Sequence, residues 1–265
     1  MTRLALLALA LPLAASAQTP KDAGKGTVPN RAGLPAAAMP LLDAASLPDT
    51  LRPGAVALPA AVAGETAFTV RLLQPSVLDM GTYTETVSVD EGAVTRVMRL
   101  VIPMGGQDET VTTTLDPATL AFRSVRADGR AATGAIDLAE GVAAGERAIV
   151  DASGVLPEPS PVRDEVPGPV FGTSWEYDLL PVLPLQAGDV YAVETYSLQD
   201  GLATATVTAL GEVTLKRDGP PTPYLAAEVD SGDGPWTYYY DPATRELAFV
   251  RFSPQAGVEV EFVRN

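Results

Sequence analysis

Thr204-Ala-Thr-Val-Thr-Ala-Leu-Gly-Glu-Val-Thr-Leu-Lys216 changes character at nearly every step. Ala205, Val207, Ala209, Gly211, Val213 and Leu215 make one face, against a mostly polar set of Thr204, Thr206, Thr208, Glu212, Thr214 and Lys216. Side chains of an extended chain point alternately to its two sides, so this period of two marks a long strand with one dry face. Outward from this stretch the pattern recurs. Phe68, Val70 and Leu72 alternate with Thr69 and Arg71, and Tyr83, Val87 and Val89 with Thr82, Thr84, Thr86 and Ser88. Val258, Val260 and Phe262 alternate with Glu259 and Glu261 near the C-terminus.

Turn signals separate these runs: Asp90-Glu91-Gly92, Gly105-Gly106-Gln107-Asp108, Asp128-Gly129, Gln199-Asp200-Gly201 and Ser231-Gly232-Asp233-Gly234. Gly and Asp tolerate the positive φ that hairpin turns demand. Strands linked so tightly are antiparallel neighbours, because a parallel crossover takes roughly a dozen residues or more. One short helix is expected where Thr173 or Ser174 caps Trp175, Glu176, Tyr177, Leu179 and Leu180, with Pro181 and Pro184 ending it. The predicted fold is mainly β: a large curved antiparallel sheet or incomplete barrel with one or two short helices.

Arg3, the apolar run Leu4–Leu13 and the small residues Ala15-Ser16-Ala17 read as a secretory signal peptide over residues 1–17, too short to span a bilayer. The expected location is the periplasm or the cell exterior. Residues 18–47, broken by Pro20, Pro29, Pro35 and Pro40, read as a Pro/Ala/Gly-rich tether. Residues 48–265 read as a single antiparallel β domain, crossed at 154–169 by a stiff connector with prolines at 157, 159, 161, 167 and 169.

The formal charge of −15 repels nucleic acid and anionic headgroups, so neither is an expected partner, and a cationic partner fits better. Zero Cys and zero His remove Ser-His-Asp and Cys-His nucleophiles and any His- or Cys-ligated zinc, copper or haem. No cofactor is expected. Carboxylate chemistry remains as the route to a hydrolase.

A short motif occurs twice. Asp116-Pro117-Ala118-Thr119 leads into Leu120-Ala121-Phe122-Arg123, and Asp241-Pro242-Ala243-Thr244 leads, two residues later, into Leu247-Ala248-Phe249-Val250-Arg251. Asp accepts backbone N–H bonds and Pro presets φ for a turn. The repeat reads either as a duplicated half-sheet or as one favourable turn used twice.

The block Trp175-Glu176-Tyr177-Asp178-Leu179-Leu180, Leu183-Pro184-Leu185, Gly188-Asp189 and Tyr238-Tyr239-Tyr240-Asp241-Pro242-Ala243-Thr244 resembles an uncharacterised family of exported bacterial β-domains. That family is similar in build to the lipoprotein carriers and receptors of the Lol type. The resemblance spans roughly Leu51 to Arg264 and rests on turn and strand signatures. It implies an unclosed barrel with short helices against the concave side, and an apolar hollow that takes acyl chains. It supplies no catalytic residue.

The expected role is therefore non-catalytic: a soluble envelope protein binding an apolar small molecule, a lipid moiety or an envelope protein, with a carboxylate-dependent hydrolase or a structural interaction module as the alternatives. Trp236, Tyr238 and Tyr240 alternate on one strand, Trp175 and Tyr177 sit on the helix, and Tyr191 and Tyr196 lie on the strand after it. These rings either line a hollow for an apolar ligand or are themselves the core. Asp230-Ser231-Gly232 matches one half of an aspartic-protease site, which needs two such carboxylates and hence a dimer. Asp230 and Asp233 are weak calcium candidates, since the full loop pattern is missing. Paired carboxylates of a glycosidase would be the other hydrolytic route, but spacing selects no pair. A membrane-spanning barrel is disfavoured by the polar face Thr82–Ser88 and by aromatics at only 6%.

Overall fold

The computed structural model describes residues 41–265 except Pro75, Ala152, Asp218 and Asp233. Its strands form one sheet of 15. The first run is β1 (Thr50–Leu51), β2 (Gly64–Gln74), β3 (Leu78–Asp90), β4 (Ala93–Ile102), β5 (Gln107–Leu115), β6 (Phe122–Asp128), β7 (Ala132–Ala139), β8 (Val142–Ile149) and β9 (Ser160–Glu165). A one-turn helix, α1 (Glu176–Leu179), follows. The second run is β10 (Val190–Ser197), β11 (Gly201–Leu215), β12 (Thr222–Asp230), β13 (Trp236–Tyr240), β14 (Leu247–Gln255) and β15 (Val258–Arg264).

Across the sheet the order is β1, β10 to β15, then β2 to β9. Two antiparallel meanders are thus joined side by side through β15 and β2, and β1 adds a parallel pair on β10. The sheet is open and curved, as the alternating pattern predicts. Val170 and Phe171 link its two flanks. Phe171 donates its N–H to the Glu194 carbonyl (2.9 Å) and accepts from the Tyr196 N–H (2.8 Å), while the neighbouring Val170 carbonyl accepts from the Phe122 N–H (2.8 Å).

Bulges bend strands and increase their local twist, and register jumps occur at Val70/Arg71, Thr114/Leu115, Ala209/Gly211, Tyr239/Tyr240 and Phe252/Gln255. The bulge in β11 corrects the reading of Thr204–Lys216. Ala205, Val207 and Ala209 enter the core as expected. Leu210 is then the extra residue, Gly211 takes a φ of 72°, and Gly211 and Val213 pair with Ala226 and Tyr224. Directly opposed residues share a face. Ala227 pairs with core Tyr238, so Ala226 and Tyr224 lie on the convex side, and Val213 lies with them. Alternation survives the flip because the convex side is also covered there.

The concave side is filled. Helix α1 runs into a 3-10 turn, Leu180–Val182, and Leu179, Leu180, Val182 and Leu183 are all fully buried. They share a cluster with Leu51, Phe68, Val70, Val193, Val207, Tyr238 and Tyr240. Leu42 and Leu47, which the sequence assigns to the tether, pack against it as well. Residues 1–40, which hold the signal segment and most of the tether, lie outside the described residues. The expected cap is not made. Ser174 turns to a φ of 68° and gives its hydroxyl to the Met98 sulfur, leaving Trp175 at the N-cap without a side-chain bond. Pro181 sits in the first turn of the 3-10 segment, where the N–H it lacks would have no partner.

The Pro-rich connector is more than a spacer, since it contributes β9 at the sheet edge. Pro161 is tolerated there because an edge strand can turn its missing N–H to solvent.

Candidate functional site

Four of the seven rings singled out from the sequence, Trp175, Tyr191, Tyr238 and Tyr240, are buried in the main cluster, and Tyr177 and Trp236 pack against it. They touch other rings. Trp236 stacks on Phe252 with centroids 3.9 Å apart, Trp175 tilts against Phe171 and Tyr177 against Phe68. The Tyr240 hydroxyl donates to the Glu176 carbonyl at 3.3 Å. Tyr196 lies elsewhere. Five positions separate it from Tyr191, and a period of two sends residues an odd distance apart to opposite faces. Tyr196 stacks on Phe122 at 4.9 Å and donates to Asp164 at 2.8 Å, in a second cluster where β6–β9 pack on the other side of β10. Burial and the Asp189 carboxylate push the Tyr191 phenol up to about 12, and burial with Asp164 raises Tyr196 further. Both remain donors at neutral pH.

Asp230 closes its own turn by accepting the Gly232 N–H at 2.8 Å, and Asp233 lies outside the described residues. No group of three or more Asp and Glu is placed to hold a metal ion among the described residues.

The structure assembles a polar centre that the alternation reading passes over. Arg96 of β4 is 2% exposed. Its Nη2 donates to both Asp178 oxygens at 2.8 Å, its Nη1 to the Ser174 carbonyl at 2.6 Å, and its Nε lies 2.9 Å from Glu85 of β3. Burial works against this cation, but Asp178 and Glu85 outweigh it and raise its pKa above the ordinary arginine value. The centre therefore ties α1 to the sheet by ion pairs. The sequence does carry its signal: Glu85 is in phase with Tyr83 and Val87, and Arg96 with Val94 and Met98. A charge in phase with a dry face needs a buried partner. Glu85 and Asp178 are the two carboxylates this centre brings together, and one guanidinium pairs with both.

The two Asp-Pro-Ala-Thr motifs fold alike, bond for bond. Asp116 accepts from the Ala118 and Thr119 N–H groups, and Asp241 from those of Ala243 and Thr244. Leu120 and Arg245 both take a φ of 59°, and each donates its N–H to the carbonyl of its own Asp. The apparent continuation into Leu-Ala-Phe is out of register. Leu115 pairs with Phe122 and Tyr240 with Leu247, so Phe122 corresponds to Leu247 rather than to Phe249. The first turn carries an addition: Arg123 donates to Asp116 at 2.6 Å and to the Gly92 carbonyl.

Around that first turn lies an open groove of about 480 Å³. Phe122, Leu138 and Val166 supply apolar lining, Pro167 and Pro169 of the connector belong to its wall, and Arg123 and Glu140 bring opposite charges. Its parts come from residues 116–141 and 166–169, so adjacency in sequence does not reveal it. Hydrogen bonds from Thr119 and from Arg123 hold the Asp116 pKa down to about 2. Its carboxylate stabilises the turn fully above about pH 4 and loses that effect as the pH falls toward 2. An Asp116→Ala chain should unfold about 1–2 kcal/mol more easily at pH 7, with the difference shrinking between pH 4 and pH 2 in parallel urea titrations. A difference constant over that range would contradict this role.

No family model matches the chain, and no curated protein matches it in sequence. Among solved structures it is similar to a beta-barrel-like protein of Domain of Unknown Function DUF1849 from Brucella abortus. That likeness has a TM-score of 0.50 at 10% identity and covers 78% of this chain and 98% of the other. At such identity the shared property is the fold: a curved, barrel-like β sheet.

Proposed function

We propose that this chain is an exported, non-catalytic binding domain that docks a partner of the cell envelope on its surface, with the groove beside Asp116 and Arg123 as the seat. One observation carries the reading: the concave side of the sheet is occupied by the chain's own Trp175–Leu185 segment. The Lol-type resemblance would place an acyl chain in that volume, so the packed segment favours a partner bound outside. The Brucella abortus protein, described only as a beta-barrel-like domain of unknown function, is compatible with an interaction role. The engagement of Glu85 and Asp178 by one arginine supports the non-catalytic part, because both carboxylates of this centre are held in ion pairs, Glu85 buried and Asp178 partly so. Two experiments test it together. Fatty acids should fail to displace a fluorescent acyl probe from the purified protein. A photoreactive residue at Glu140 should give a discrete adduct in intact cells that the same residue at Thr206, on the convex face, does not give. Stoichiometric fatty-acid binding, or equal labelling from both positions, would overturn the proposal.

A further inference from the structure

Where β11 flips, a further group of side chains packs on the convex side. Phe249 is fully buried there, stacked on Tyr239 at 4.3 Å and met edge-on by Tyr224 at 5.0 Å. The Arg217 guanidinium lies 4.2 Å from the Phe249 ring centre, and its Nη2 donates to Glu261 Oε2 at 2.5 Å. Arg251 donates from Nε to Glu261 Oε1 at 2.9 Å, with its guanidinium 5.2 Å from the same ring. Glu261 is consequently a carboxylate only 1% exposed, on a side of the sheet where Thr204 and Thr206 are in water.

The members of this cluster are held in different ways. Tyr224, Tyr239, Phe249, Arg251 and Glu261 stand on β12 to β15, fixed by strand pairing. Arg217 comes from the connection after β11, outside any strand. A planar guanidinium suits both surfaces it meets: a ring face attracts it through the π quadrupole, and a carboxylate accepts its N–H groups. A compact ammonium matches the pair less well. We propose that Phe249, Tyr224, Tyr239 and Glu261 form a guanidinium seat, occupied in the free protein by Arg217, and that an arginine side chain of a protein partner replaces Arg217 there. The formal charge of −15 favours the approach of a basic partner to the protein. Arg217 competes from within the same chain at high effective concentration, so it selects for a partner with further contacts. The seat is separate from the groove at Asp116, and neither reading depends on the other.

The test uses the full chain and acetyl-arginine amide as probe, followed by amide chemical shifts. Arg217→Ala should bind it saturably and about tenfold or more tighter than the wild type, the worth of one charge-assisted hydrogen bond. Acetyl-citrulline amide, the neutral isostere, should not bind. Adding Glu261→Gln to Arg217→Ala should abolish saturation. If circular dichroism shows that Arg217→Ala does not fold, Arg217→Gln, which keeps the aliphatic stem over the ring, carries the same comparison. No saturable shift in a folded Arg217 variant would overturn the proposal. So would citrulline binding as well as arginine, or wild type binding as tightly as the variant, since the arrangement is then a fixed part of the fold.

Discussion

An Arg96→Met chain is expected to lose about 3–5 kcal/mol of stability, the usual cost of removing one partner from a buried ion pair. Methionine fills much of the volume, so the loss reports charge rather than packing. Without the guanidinium, Glu85 and Asp178 face each other across the junction of β3, β4 and α1 with no cation between them. Unfolding in urea followed by tryptophan fluorescence measures the change, and moderate salt should leave it nearly unaltered because the site is dry. Combining Arg96→Met with Glu85→Leu and Asp178→Leu should restore most of the loss, since apolar replacement of a whole buried ion group is often neutral or stabilising. A loss below about 1 kcal/mol for Arg96→Met, the scale of an exposed pair, would mean that water reaches the centre.

Trp175→Ala is expected to cost about 3–5 kcal/mol, as core tryptophan truncations do. Trp175 is 4% exposed at the start of α1, against Phe171, one of the two residues that bridge the flanks. Its loss should therefore loosen the internal segment and the bridge together. The same variant separates the two readings of the aromatic group. A core ring gives a large stability loss and no ligand phenotype. A ring lining a hollow gives little loss of stability and weakened binding of an acyl probe.

The strands were legible because burial on one side imposes a period of two, and that signal is strong in Phe68–Leu72, Tyr83–Val89 and Val258–Phe262. The link between the sheet's flanks was not. Val170 and Phe171 bridge β6 and β10 through backbone groups, which any residue possesses. The bulge at Leu210 was hidden for another reason: an inserted residue inverts the face while the convex cover keeps the apolar rhythm going. The helix was legible from Trp175 to Leu180, but its cap was not, because Ser174 is drawn to the Met98 sulfur by the tertiary fold. The polar centre was present as two charges in phase with dry faces, at Glu85 and Arg96. The groove could not be read at all, since the chain between its two parts forms β8 and β9 before returning.

The curved sheet encloses its own chain rather than an empty space. Native-state amide hydrogen exchange tests it most directly. The Leu179 and Leu183 N–H groups, bonded to the Trp175 and Leu179 carbonyls, should exchange only through global unfolding, at the rate of Val207 in β11 and Tyr238 in β13. Rapid exchange at Leu179 and Leu183 while Val207 and Tyr238 stay protected would show the segment leaving the sheet, and would return the hollow to the account.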